Sequence, residues 1–194
     1  MKKLILGSSS PRRKEIMEYF KVPFEIANPP FDEDSVPWDG DIASHVIAIS
    51  KGKAKSLIAD HPNDIILTAD TVVYCEKKIY GKPKDEEDAF KMLSALSGKW
   101  HGVFTGVTVA CDGQIYSDYA KTAVLFHELT SEMIQSYIKQ LHCLDKAGAY
   151  FIQESGGLIV SKIDGGYYNV VGLPMNTVHN LLKKVGLDLW EFLA

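Results

Sequence analysis

The chain has 194 residues, of which 46% are hydrophobic and 24% charged, and its net charge is −4. That length suits a single domain over residues 1–194 with a normal buried core, and the composition is that of an ordinary globular protein. The acidic balance excludes a general nucleic-acid binder, which needs a broad basic face, and no run reaches the ~18 apolar residues of a membrane span.

Met1-Lys2-Lys3 ahead of Leu4-Ile5-Leu6 has the charge order of a signal peptide, but the apolar run stops at Gly7, too short for one. Leu4 to Gly7 therefore reads as a short buried strand that turns directly into a helix. Ser10 is the expected N-cap and Pro11 the first helical residue. Arg12, Arg13 and Lys14 then sit at the positive end of the helix dipole, where each is unfavourable by up to ~1 kcal/mol. A bound anion removes that conflict: free amides, the hydroxyls of Ser8, Ser9 and Ser10 and two guanidinium forks converge on one phosphate. The same pattern also suits a capped helix whose arginines point at solvent.

The helix is expected to end near Phe20, followed by a strand over Val22–Ile26 and an acidic, proline-rich loop from Asn28 to Gly40. Asp41 opens a helix to about Ala59, on which Ile42, Val46, Ile49 and Leu57 form one apolar stripe. Lys53 falls in the middle of that stripe, while Lys51 and Lys55 fall on the opposite face. An ammonium on an inward face either meets an anion or snorkels to water. Ile65 to Tyr74 is the best central-strand candidate, and Asp70 interrupts it. A carboxylate there must be ion-paired, bound to a metal, or at work as a water-activating base.

Glu76-Lys77-Lys78 reads as a hairpin turn into Ile79-Tyr80, and Gly81-Lys82-Pro83 follows with a further cation. Asp85 caps a helix with Ala89, Met92, Leu93 and Leu96 inward, closed by Gly98. Strands over Val103–Cys111 and Gln114–Phe126 are joined by Asp112-Gly113, a strong two-residue hairpin signal. Thr130 caps the next helix; Leu158–Ile163 is a strand and Asn176–Val185 a last helix ended by Gly186. The region between carries Asp145-Lys146-Ala147-Gly148-Ala149-Tyr150, Gln153 and several glycine pairs, a pattern of tight loops of the kind that carry binding residues. Alternating helices and strands with hairpins predict an α/β fold with a mixed central sheet flanked by helices.

There is no P-loop, no GxGxxG and no GxSxG, and the six histidines show no metal-ligand spacing. Cys75, Cys111 and Cys143 are odd in number and lack a CxxC, so neither a disulfide framework nor a zinc site is expected, and the chain reads as reduced and cytoplasmic. What remains is a set of phosphate-binding cations plus a strand-borne carboxylate, which suits metal-assisted attack on a phosphoanhydride.

In order along the chain, Ser8-Ser9-Ser10-Pro11-Arg12-Arg13, Lys53-Ala54, Ala69-Asp70-Thr71-Val72-Val73, Gly81-Lys82-Pro83, Thr105-Gly106-Val107, Asp145 to Tyr150, Gln153 and Val171-Gly172-Leu173-Pro174 resemble the Maf family of nucleoside triphosphate pyrophosphatases. The resemblance implies a Maf/inosine-triphosphatase-like fold and a divalent metal (Mg²⁺, Mn²⁺ or Co²⁺). It also implies hydrolysis of a nucleoside triphosphate to monophosphate and pyrophosphate, and it suggests a homodimer. The Asp145 run and Gln153 resemble the branch acting on dTTP and UTP, in which the position matching Asp70 is the catalytic base and those matching Arg12, Thr71 and Gln153 select the base. Ser8, Arg12, Arg13, Lys53 and Lys82 are then expected at the triphosphate, with Asp70 and the loop residue Glu33 as candidate metal ligands. Two alternatives accompany this reading. One is a nucleotide-binding regulator, since the family has been associated with inhibition of septum formation; the other is the same chemistry on 7-methyl-GTP or inosine triphosphate. The family usually places a glycine directly after the glutamine, where this chain has Glu154.

Overall fold

In the computed structural model, which describes residues 2–193, the opening apolar run is β1 (Leu4–Gly7), buried at all four positions. A parallel pairing needs a crossover, and two helices supply them. α1 (Pro11–Glu18) leads to β2 (Phe24–Ala27), and α2 (Ile42–Leu57) leads from β2 to β3 (Ile65–Cys75). Both β2 and β3 pair with β1 in parallel. β4 (Lys78–Tyr80) folds back antiparallel on the end of β3, and α3 (Glu86–Leu96) follows. β5 (Trp100–Cys111) and β6 (Gln114–Phe126) come next, then α4 (Ser131–Leu141), the antiparallel edge strand β7 (Val160–Asp164), α5 (Tyr167–Val171) and α6 (Met175–Lys183). The sheet has seven strands in the order β2-β1-β3-β5-β6-β7, with β4 beside β3, and it is mixed as expected. Among the described residues no helix is long and apolar enough to cross a membrane.

The chain divides into two compact units, with β3, β5 and β6 contributing residues to both. The first comprises Met1–Asp70, Thr105–Ala120 and Gly172–Ala194. Its interior includes Ile5, Ala54, Leu57, Ile66 and Ala110. α2 lies tight on β5 because Gly106 has no side chain; a Cβ there would meet the backbone of Val46 and stand 2.8 Å from the nitrogen of Ile47. Ser50 fixes the rotation of α2, its hydroxyl 2.9 Å from that of Thr108 and its carbonyl accepting from Thr68 Oγ1 at 2.7 Å. The expected helical phase follows: Ile42, Val46, Ile49 and Leu57 are buried, and Lys51 and Lys55 are exposed.

The second unit comprises Thr71–Phe104 and Lys121–Val171. α3 and α4 pack their inward stripes, Ala89, Leu93 and Leu96 with Ile134, Tyr137 and Ile138, against Val73, Val103, Val124 and Phe126.

The expected caps Asp41, Asp85 and Thr130 each accept an amide of the first turn. Ser10 does not: it occupies the N-cap position of α1, but its hydroxyl makes no cap bond. Two residues earlier, Ser8 Oγ accepts from the Ser10 amide at 3.2 Å and shapes the turn. α1 stops at Glu18, short of Phe20. β7 starts at Val160 and not at Leu158, which lies 81% exposed in a 3-10 segment over Glu154–Ile159. That segment is entered through Glu154 at a φ of 50°, which breaks the extended chain. α5 occupies a stretch that the sequence pattern reads only as tight loops.

Candidate active site

The first βα turn is built around Arg13. Its Nη1 donates to Ser8 Oγ at 3.2 Å and to the carbonyl of Ala69 at 2.9 Å, and its Nε donates to the carbonyl of Gly172 at 2.8 Å. Ser8 is buried, so one hydroxyl ties the turn backbone to the guanidinium. Arg13 thus joins β1, β3 and the chain after α5 at the residue immediately before Asp70. Burial lowers its pKa from the ordinary value; the neighbouring charges of Asp70 and Glu33 act in the opposite direction, and that of Arg12 adds to the lowering. An arginine keeps its proton under such a shift, so these groups share one electrostatic neighbourhood around a fixed positive charge. Three donor contacts of Arg13, through Nε and Nη1, go to the protein.

Asp70 is buried in the middle of β3, as its place in the apolar run required. Lys53 Nζ stands 2.8 Å from Asp70 Oδ1 and 2.8 Å from Glu33 Oε1. Side-chain exposure is 8% at Asp70, 11% at Lys53 and 52% at Glu33, so the row runs from the interior to the surface. The two polar interruptions noted in the sequence are therefore each other's partners. Of the three readings open at Asp70, an ion pair is present in this structure, and the other two are compatible with it. A buried ion pair recovers its desolvation cost poorly, which makes stability a weak reason for this one.

Among the described residues no group of three or more His, Cys, Asp or Glu side chains is arranged to hold a metal. A hard divalent cation bound together with phosphates needs less than that: one or two carboxylates, with phosphate and water oxygens completing its shell. Asp70 and Glu33, brought to one ammonium, fit that mode.

Thr71, Lys82 and Gln153 belong to the second unit. Thr71 is half-buried, Lys82 is exposed after β4, and Gln153 is half-buried at the entry of the 3-10 segment. The Gly148 amide donates to the Gly81 carbonyl at 2.9 Å, which joins the Gly81-Lys82-Pro83 loop to the Asp145–Tyr150 run. Within that run Asp145 pairs with Lys146, and Gly148 and Ala149 both have positive φ, 69° and 61°. Sequence reasoning missed what anchors it: the Tyr150 hydroxyl and His101 Nε2 lie 2.9 Å apart, both buried, with Phe126 edge-on to each ring. His101 had no spacing partner in the sequence to mark it.

The fold is mixed α/β, and one of its units holds a buried carboxylate–ammonium pair together with an arginine-braced first turn. A family model described as Maf-like protein matches residues 3–185, and the chain belongs to the Maf family. A dTTP/UTP pyrophosphatase of Chlamydia caviae is 43% identical over 192 residues, covering 98% of each chain. A protein of the same description from Clostridium botulinum (strain Kyoto / Type A2) is 42% identical over 194 residues, covering 97% of this chain and all of its own. A solved structure, that of the Staphylococcus aureus Ham1 protein, aligns over 95% of this chain at 16% identity with a TM-score of 0.48. That alignment adds nothing to the fold, which rests on the strand order and the family match.

Proposed function

We propose that this chain hydrolyses dTTP and UTP to the nucleoside monophosphate and pyrophosphate. The observation that carries the reading is the buried Asp70 carboxylate held by Lys53, in a chain 43% identical to a dTTP/UTP pyrophosphatase over nearly its whole length. Asp70 accepts a proton from water as the water oxygen attacks the α-phosphorus. The bond from that phosphorus to the bridging oxygen breaks, and pyrophosphate leaves. Arg12, Lys53 and Lys82 neutralise phosphate charge, and Ser8 and Arg13 hold the turn on which Arg12 sits. Asp70 and Glu33 would hold a divalent cation, which when bound would neutralise charge on phosphate oxygens. Gln153, with both a donor and an acceptor, matches the N3–H and 4-oxo edge of uracil and thymine, and Thr71 contributes to the same selection. A homodimer and a cytoplasmic location belong to this reading; the three cysteines are free and buried, as a reducing compartment permits.

The test is a panel of nucleoside triphosphates with Mg²⁺, Mn²⁺ or Co²⁺, with products resolved. UTP and dTTP should lead, CTP and purines should trail, and pyrophosphate should be released. Orthophosphate with a diphosphate product overturns the bond assignment. A profile led by 7-methyl-GTP or inosine triphosphate overturns the base assignment. Nucleotide binding without turnover overturns the enzyme and leaves a regulator.

A further inference from the structure

Glu33 reaches Lys53 from the loop over residues 28–40, and that loop touches α2 at three places. The ring of Phe31 lies on Gly52; a Cβ at Gly52 would meet three of its atoms, the farthest at 2.8 Å. Glu33 bonds Lys53, the next residue of the helix, and Trp38 sits edge-on to His45 with ring centroids 5.5 Å apart. Residues 45 and 52 are two helical turns apart, so the loop runs along one face of α2. Glu33 itself is presented by a short 3-10 turn (Glu33–Ser35) that Asp32 closes, accepting from the Asp34 amide at 3.1 Å through its side chain and from Ser35 Oγ through its carbonyl.

Gly52 is the odd residue in this arrangement. It lies in the interior of α2 without a positive φ, where glycine weakens a helix and alanine would serve better. The Phe31 ring gives it a reason, because only a glycine leaves room for that ring on the helix backbone. Most of the loop is exposed, so docking of this kind is cheap to undo.

We propose that residues 28–40 form a strap latched by Phe31 onto Gly52, and that this latch sets the Glu33 carboxylate against Lys53 and so beside Asp70. Phe31 and Gly52 are positioning residues, acting through Glu33. The inference rests on the reading of Asp70 and Glu33 as the working carboxylates.

Gly52→Ala and Phe31→Ala test it on the full chain. Both should speed amide hydrogen exchange across the non-proline residues of the strap while the rest of α2 keeps its protection. With UTP, kcat should fall about tenfold and the metal concentration for half-maximal rate should rise, with the nucleotide KM within about twofold, because Arg12, Lys82 and Gln153 lie outside the strap. In a Glu33→Gln background, Gly52→Ala should change kcat by less than about twofold, since its effect is transmitted by the missing carboxylate. With Phe31→Ala already present, Gly52→Ala should add nothing, the ring it displaces being gone. Wild-type exchange and kcat in Gly52→Ala, or an undiminished loss in the Glu33→Gln background, overturns the latch. If the unaltered chain hydrolyses no nucleotide, the functional reading fails, and the exchange of the strap still decides whether Phe31 and Gly52 hold it.

Discussion

In the unit built on β1 and α2, full charges gather beside neutral buried hydroxyls: Asp70 is buried and in contact with Lys53, Arg13 bonds two backbone carbonyls and Glu33 stands at the rim, while Ser50, Thr68 and Thr108 hold α2 in place. In the unit built on α3 and α4 the buried polar groups are neutral. His101 bonds Tyr150, and Asn169 donates to the Val103 carbonyl and to Thr122 Oγ1, each at 3.0 Å. Neutral pairs of this kind hold backbone in place at modest desolvation cost. Buried charges are a poor means to the same end, since replacing such a pair by apolar groups is often neutral or stabilising. The comparison therefore sets the charged row proposed for chemistry against neutral groups that hold shape, and each can be broken separately.

The largest effect belongs to the charged side. Asp70→Asn preserves shape but removes charge and basicity, and UTP turnover should fall on the order of 10³-fold, about 4 kcal/mol in the barrier. The fold should survive, because Lys53 keeps Glu33 as a partner. Steady-state rates and a thermal melt check both. Near-normal turnover would make Asp70 a structural counter-ion of Lys53 and would sink the mechanism.

The neutral side shows itself in pH. Burial pushes the His101 pKa down to about 4 from an ordinary 6.5. The unfolded chain then binds the proton first, so stability is complete above pH ~6.5 and is lost as pH falls toward 4. Over that window the group contributes about 3 kcal/mol. His101→Gln retains a partner for Tyr150 but cannot titrate. Denaturant unfolding between pH 7 and pH 4.5 should show a distinctly shallower acid limb for this variant than for the unaltered chain. Parallel limbs would mean that His101 charges freely in the folded state.

A third substitution sharpens the charged side. Lys53→Ala should lower kcat/KM about tenfold, roughly 1.4 kcal/mol, while Lys51→Ala and Lys55→Ala on the exposed face should leave it unchanged. Equal losses at all three would contradict the burial of Lys53.

These contrasts also mark how far the sequence could be read. Lys53 and Asp70 were legible because each violates a periodic pattern, one a helical stripe and the other an apolar strand, and such a violation is visible locally. Their pairing was not, since it depends on the rotation of α2 set by Gly106, Ser50 and Thr108, which no window of sequence contains. The bonds of Arg13 to the carbonyls of Ala69 and Gly172 were illegible for the same reason, being made to backbone 56 and 159 residues away. Hairpins and three of the caps were legible because their chemistry is local. The Ser10 cap did not form although the residue occupies the N-cap position, and nothing in the local sequence marks the difference.

The smallest effect lies at Glu154, where the chain departs from its family's usual glycine. A φ of 50° is strained for a residue with a Cβ, by about 1 kcal/mol, and Glu154→Gly relieves it. Glycine also enlarges the unfolded ensemble, which takes back about 0.5 kcal/mol, so the net gain should be near 0.5 kcal/mol. Ser155 is the control. Its φ is not positive, so Ser155→Gly has no strain to relieve and should destabilise by a similar amount. Paired urea titrations read the difference as midpoints displaced in opposite directions with unchanged slopes. If both substitutions destabilise, the Glu154 side chain holds the 3-10 segment by more than its backbone costs, and its place after Gln153 is an adaptation of this chain instead of a tolerated strain.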